Sequence, residues 1–172
     1  MMRIGLISVL ARTASLRPAV VNRAASTRRA AAADPFAENR APIVLYDGVC
    51  RMCNFWVDWV LDNDPTAKLR FAALQSPAGR RLLERSGRMP DDISSIVLVT
   101  PDEAFIKSEA VLEIGKQLSI TTPLATIAQG VVPRAIADAA YDTIANNRYN
   151  IAGKRSYRDS DARLAERFLS ED

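Results

Sequence analysis

The chain has no histidine, and only two of its 172 residues are cysteine. Each shortage closes off a class of chemistry. A structural zinc site of the usual kind needs four nitrogen or sulfur ligands, more than this chain supplies alone. A four-cysteine iron–sulfur cluster fails on the same count unless two chains share it. Haem attachment through Cys-x-x-Cys-His fails because Asn54 follows the second cysteine. Ser-His-Asp and Cys-His catalysis lack their imidazole. No metal and no other cofactor is expected.

Long apolar runs are also missing. The longest near the N-terminus, Ile4 to Ala11, falls well short of the ~20 residues that span a bilayer, so no membrane span is expected. Acidic residues are absent from the first 33 positions, where six arginines stand among alanine, serine and threonine. Such an Arg-rich, acid-poor composition is that of a mitochondrial or plastid transit peptide, and residues 1–33 are read as an organelle address. Without those six arginines the 23 basic side chains fall to 17 against 20 acidic ones, a net charge near −3. The basicity belongs to the address, and a nucleic-acid partner is not expected.

The two cysteines that are present stand together, in Tyr46-Asp47-Gly48-Val49-Cys50-Arg51-Met52-Cys53. Pro42 precedes a short apolar run, Ile43 to Tyr46, that reads as a buried strand, and Asp47-Gly48 turns the chain. A helix follows, with Phe55, Trp56, Trp59 and Val60 at helical spacing, and Asn63-Asp64-Pro65 ends it. The first sulfur thus sits at a helix N-terminus, where free N–H groups favour thiolate over thiol, and Arg51 between the sulfurs adds to that effect. Thiol–disulfide exchange is the chemistry this arrangement serves. The bland alternative is a pair of inert, buried cysteines. Cys50 is expected to attack a substrate disulfide, and Cys53, one turn further in and more deeply buried, to resolve the mixed disulfide. Asp47 either takes the Cys53 proton during resolution or orders the Asp-Gly turn. Trp59 is read as core, whereas Trp56 follows the dithiol closely enough to line a substrate groove.

Beyond this helix, Leu69 to Leu74 reads as a second strand, and Ser76-Pro77 opens a helix from Ala78 to about Arg85. Ser95 to Val99 is a third strand, and Ala104 to Lys107 pairs back on it as a hairpin. Ser108 is expected to cap a helix carrying Ala110, Val111, Ile114 and Leu118 on its apolar side. Another helix begins at Val131-Val132-Pro133 and runs to about Asn147 with Ile136, Ala140 and Ile144 inward. A last one, Ala162 to Leu169, docks Leu164 and Phe168. The order β-α-β-α-β-β-α implies an α/β, thioredoxin-like core over 42–118, its mixed central sheet flanked by helices. Residues 119–172 form a helical extension packed on that core.

The chain resembles the DCC family of thiol–disulfide oxidoreductases. The resemblance rests on the YDGVCRMC motif with Asp47, Cys50 and Cys53, on Arg70 to Leu83, and on Lys107-Ser108-Glu109-Ala110. It continues through Pro133 to Tyr149 and Glu166 to Leu169. It implies a thioredoxin-like fold and protein-disulfide reductase activity, and the chain is expected to work as a monomer. The partners would be a disulfide-containing protein or small thiol substrate and an upstream reductant. Many relatives carry a further cysteine in the tail, where this chain has Ser156-Tyr157. Thioredoxins proper place a cis-proline before the third strand, and Ser94 takes that place here. A non-proline cis bond costs about 2.5–4 kcal/mol, so a trans bond is expected. Arg51, Ser94 and Trp56 are the candidate substrate-binding residues. Two other readings stay open. One is a glutathione-dependent, glutaredoxin-like enzyme using Lys68 and Arg70 for the tripeptide carboxylates. The other is a non-catalytic organellar adaptor that binds partners through its added helices.

Overall fold

A computed structural model of the chain describes residues 34–158 and 165–169. The address read over 1–33, and the start of the helix expected from Ala162, lie outside the described residues. Four strands form one sheet: β1 (Ile43–Tyr46), β2 (Arg70–Ala73), β3 (Val97–Val99) and β4 (Ala104–Ile106), in the order β2-β1-β3-β4. β1 runs parallel to β2, with Ile43 opposite Arg70, and antiparallel to β3, with Ile43 opposite Val99. β4 returns antiparallel on β3. Parallel neighbours require a crossover, and α1 (Arg51–Asp62) supplies it between β1 and β2. With α2 (Pro77–Arg85), α3 (Lys107–Gln117), α4 (Thr122–Val131) and α5 (Arg134–Ala152), this is the expected thioredoxin-like arrangement.

Side chains alternate across β1 and divide the core in two. Val44 and Tyr46 join Val57, Val60 and Leu61 of α1 and Ala110, Ile114 and Leu118 on and just beyond α3. Ile43 and Leu45 face the other way, against Leu82 and Leu83 of α2. Each such fully buried aliphatic side chain stabilises the fold by roughly 1.5–3 kcal/mol. Ser76 caps α2 as expected, its hydroxyl accepting the Gly79 N–H at 2.9 Å. Gly79 is required there, because a Cβ would lie 2.0 Å from the Ala73 carbonyl oxygen.

Several local expectations are corrected. The inward face of α1 is Asn54, Val57, Val60 and Leu61, while Phe55 is 72% exposed and Trp59 37% exposed, so Trp59 is not core. Ser108 does not cap α3. That helix begins at Lys107 with Ile106 in the cap position, and the Ser108 hydroxyl donates to Asp138 of α5. α5 is rotated from its expected face: Ile136 and Ile144 are exposed, and Ala137, Asp138, Tyr141 and Ala145 turn inward. Polar contacts accompany this rotation. Lys107 pairs with Asp142 at 2.7 Å and Glu109 with Arg134 at 2.7 Å, which pins the helix by its hydrophilic side.

The terminal segment also differs from expectation. Its described part is a short 3-10 turn, Ala165–Arg167, followed by Phe168 bridged in parallel to Phe71 on the outer edge of β2. Arg167 is buried and holds the segment down by bonding the Leu69 and Asp64 carbonyls and the Asp64 carboxylate. No helix among the described residues is long and apolar enough to cross a membrane.

Candidate active site

The site forms where β1 ends and α1 begins. Cys50 is the N-cap of α1, and its Sγ accepts the backbone N–H of Cys53 at 3.3 Å. That donor is one of the N-terminal N–H groups with no partner inside the helix, and the sulfur satisfies it. Both cysteines are free. Asn54, noted in the sequence only for not being histidine, fixes the loop. Its side-chain amide donates to the carbonyls of Asp47 (3.3 Å), Gly48 (3.1 Å) and Cys50 (2.7 Å).

Asp47 lies behind the dithiol and is 3% exposed. Its Oδ1 accepts the Val49 N–H at 3.1 Å, as in an Asx turn, and Gln75 Nε2 at 2.7 Å. Its Oδ2 accepts Arg148 Nε at 3.1 Å and the Tyr149 hydroxyl. Burial by itself would raise the Asp47 pKa. The bonds from Tyr149, Gln75, the Val49 N–H and Arg148 outweigh it and hold the carboxyl below its usual range. Arg148 is a hub: it also donates to the carbonyls of Ala145 (2.8 Å) and Ile93 (3.1 Å). Nothing local in the sequence ties Arg148, Tyr149 or Gln75 to the dithiol. Membership of Arg148 and Tyr149 in the resembling segment was their only signal.

The relative depth of the cysteines is the reverse of expectation. Cys50 is fully buried and Cys53 is only partly so. The cause is the chain after α5. Residues 153–158 cross the motif, with Arg51 N–H donating to Gly153, Arg155 N–H to Val49 and Arg158 N–H to Gly48, at 3.3, 2.9 and 3.0 Å. Cys53 instead borders a cavity of about 330 Å³ that Asp47, Trp56 and Ser94 also line. Arg51 lies elsewhere, beside Phe55, Asp58 and Arg155. Burial raises the Cys53 pKa, and the neighbouring Cys50 sulfur and Asp47 raise it further, with a partial offset from Arg148.

Among the described residues there is no cis peptide bond, so the one before Ser94 is trans. Nor is there a group of three or more His, Cys, Asp or Glu placed to hold a metal. Arg70 is directed at the carbonyls of Pro35, Asn39 and Ala41, and Lys68 at that of Gln117. Neither cation of the glutathione reading reaches the dithiol cavity.

Comparison with known proteins identifies the family. The family model for DCC1-like thiol-disulfide oxidoreductases matches residues 44–154, from β1 to the first residues after α5. A chloroplastic DCC family protein of Arabidopsis thaliana is 49% identical over 119 residues, 69% of each chain. YuxK of Bacillus subtilis, an uncharacterized protein, is 33% identical over 114 residues, 66% of this chain and 82% of its own. No solved structure matches. With the motif, the sheet order and the dithiol in place, the chain belongs to the DCC1-like thiol-disulfide oxidoreductase family.

Proposed function

We propose that the protein is a reductase of substrate disulfides, its Cys50–Cys53 dithiol supplying two electrons and ending as an intramolecular disulfide. The observation that carries this reading is the Cys53 N–H directed at Cys50 Sγ at the start of α1. One sulfur there can hold charge, and the second lies one helical turn away. Each substrate disulfide yields two thiols, and an upstream dithiol restores the reduced form. Asp47 serves the turn and the charge balance, since a carboxyl held ionised by four donors is a poor proton acceptor. The test is turnover of a panel of disulfides, insulin and the small neutral bis(2-hydroxyethyl) disulfide, with dithiothreitol as reductant. Turnover lost in both Cys50→Ser and Cys53→Ser supports the reading. Turnover at the level of dithiothreitol alone in the unaltered protein overturns it.

The segment 1–33 would direct the chain to an organelle. The Arabidopsis relative's name favours the plastid over the mitochondrion. A fluorescent fusion of residues 1–33 checks this, and a diffuse cytosolic signal would refute it.

One observation favours the adaptor reading as a second possibility. Leu124, Ile127 and Val131 on α4 are 62–74% exposed and share one face of the helix, an apolar stripe of the kind a partner covers. Full rescue of a deletion strain by a Cys50→Ser/Cys53→Ser form would make binding, not exchange, the essential role.

A further inference from the structure

The two sulfurs face different surroundings. Cys50 is 0% exposed and bridged to Lys154 in the covering segment. Cys53 borders the 330 Å³ cavity between α1, α3, α5 and the loop before β3. We propose that substrate enters through this cavity, that it is a compact disulfide bearing uncharged apolar groups, and that Cys53 forms the first bond to it. The proposal rests on the dithiol-exchange reading above.

The wall chemistry sets the class of substrate. Met52, Trp56, Ile93, Ile96, Val111 and Ile144 supply most of it. The charged side chains lining the cavity, Asp47 and Arg148, are paired with each other at 3.1 Å. A carboxylate-bearing disulfide such as oxidised glutathione would lose hydration there and meet no free cation. The volume is at the small end of the roughly 300–1,000 Å³ typical of small-molecule pockets. An extended peptide finds no partner at the loop before β3. The Ile96 N–H is already given to the Tyr141 hydroxyl at 2.8 Å, and the Ile96 carbonyl accepts the Lys107 N–H at 3.3 Å. Tyr141 of α5 and Lys107 at the start of α3 thus hold the Ile96 backbone groups, Asp92 holds the Ser94 N–H and Arg148 the Ile93 carbonyl, so recognition falls to the cavity.

The order of attack follows from where each sulfur looks. Cys53 Sγ gives its proton to solvent in the cavity and attacks the substrate disulfide as the thiolate. The Cys53–substrate bond forms, the substrate disulfide breaks, and the first thiolate leaves and takes a proton from water. Cys50 then attacks Cys53 Sγ. The Cys50–Cys53 bond forms, and the second thiolate leaves with the Cys50 proton. Displacement at sulfur runs in line, so this last group departs away from Cys50, on the cavity side. Attack by Cys50 first would require substrate to reach a sulfur that is fully buried beneath residues 153–158.

The test compares reduced Cys50→Ser and Cys53→Ser proteins reacting with 4,4′-dithiodipyridine, a neutral aromatic disulfide, followed by thiopyridone release and adduct mass. Cys50→Ser is expected to react at least about a hundredfold faster, because a covered sulfur reacts only when its cover opens. Faster reaction of Cys53→Ser overturns the proposal. Adding Ile144→Asp, or independently Val111→Asp on α3, to Cys50→Ser should slow capture at least about tenfold. Unchanged rates in whichever of these stays folded by its melting curve overturn the apolar selection. Calorimetry with 1,2-di(4-pyridyl)ethane, which cannot exchange, on the Cys50→Ser/Cys53→Ser protein separates the two readings. Binding that Ile144→Asp abolishes supports the cavity even if no reductase activity is found. No binding removes the cavity from recognition while leaving dithiol exchange standing.

Discussion

Arg148 and Asp47 stand 101 residues apart in the chain and meet behind the dithiol, Nε to Oδ2 at 3.1 Å, with 11% and 3% of their side chains exposed. Removing one member leaves the other charge buried, which costs about 3–5 kcal/mol in comparable pairs. Asp47→Asn is therefore expected to lower the denaturant midpoint sharply, and Arg148→Met to do the same. An Asp47→Asn protein as stable as the original, with slowed exchange, would restore Asp47 as a proton acceptor.

The same carboxyl predicts an acid limb. Its folded pKa lies below the unfolded value of about 3.9. The stabilisation is therefore present above that value and lost as pH falls through the folded pKa. Thermal melts should show a decline at acid pH that Asp47→Asn makes shallower.

Cys53 gives the opposite sign at the alkaline end. Burial, Cys50 and Asp47 hold its thiol above the ordinary range. A raised folded pKa stabilises below the unfolded value of about 8.5 and loses that contribution as pH rises towards the folded one. The reduced protein should lose melting temperature above about pH 8.5, less steeply in Cys53→Ala. Identical slopes would show that the thiol is not shifted.

Gly48 tests the cover over Cys50. A Cβ there would sit 2.5 Å from the Arg158 carbonyl oxygen and 2.9 Å from the Tyr157 ring. Gly48→Ala should destabilise by about 1–3 kcal/mol and loosen residues 153–158. Peptide mapping after brief alkylation should then show more Cys50 modified than in the unaltered protein. Unchanged protection of Cys50 would mean that something else shields it.

The rotation of α5 separates two similar-looking changes. Ile136 is 62% exposed and Ala145 6% exposed. Ile136→Ser should shift stability by no more than about 0.5 kcal/mol. Ala145→Asp, which buries a carboxylate beside Arg148 and the cavity, should cost more than about 2 kcal/mol. Equal losses would mean that Ile136 faces inward after all.

Those parts of the fold that depend on near neighbours are legible in the order of residues. The apolar run of β1, the Asp-Gly turn, the Ser76-Pro77 start of α2 and the β3–β4 hairpin are local preferences, and the structure follows them. Cys50 at the head of α1 was legible for the same reason, since a cap depends on residues within one turn. Tertiary structure alone decided what surrounds that sulfur. The 153–158 crossing that buries Cys50, the Arg148 and Tyr149 bonds to Asp47, and the outward turn of Ile136 all join segments far apart in sequence. Apolar spacing marked a stripe on α5, but the face that turns inward carries Tyr141 and Ala145 and meets Ile96, Lys107 and Glu109, because those partners come near only when the chain is folded.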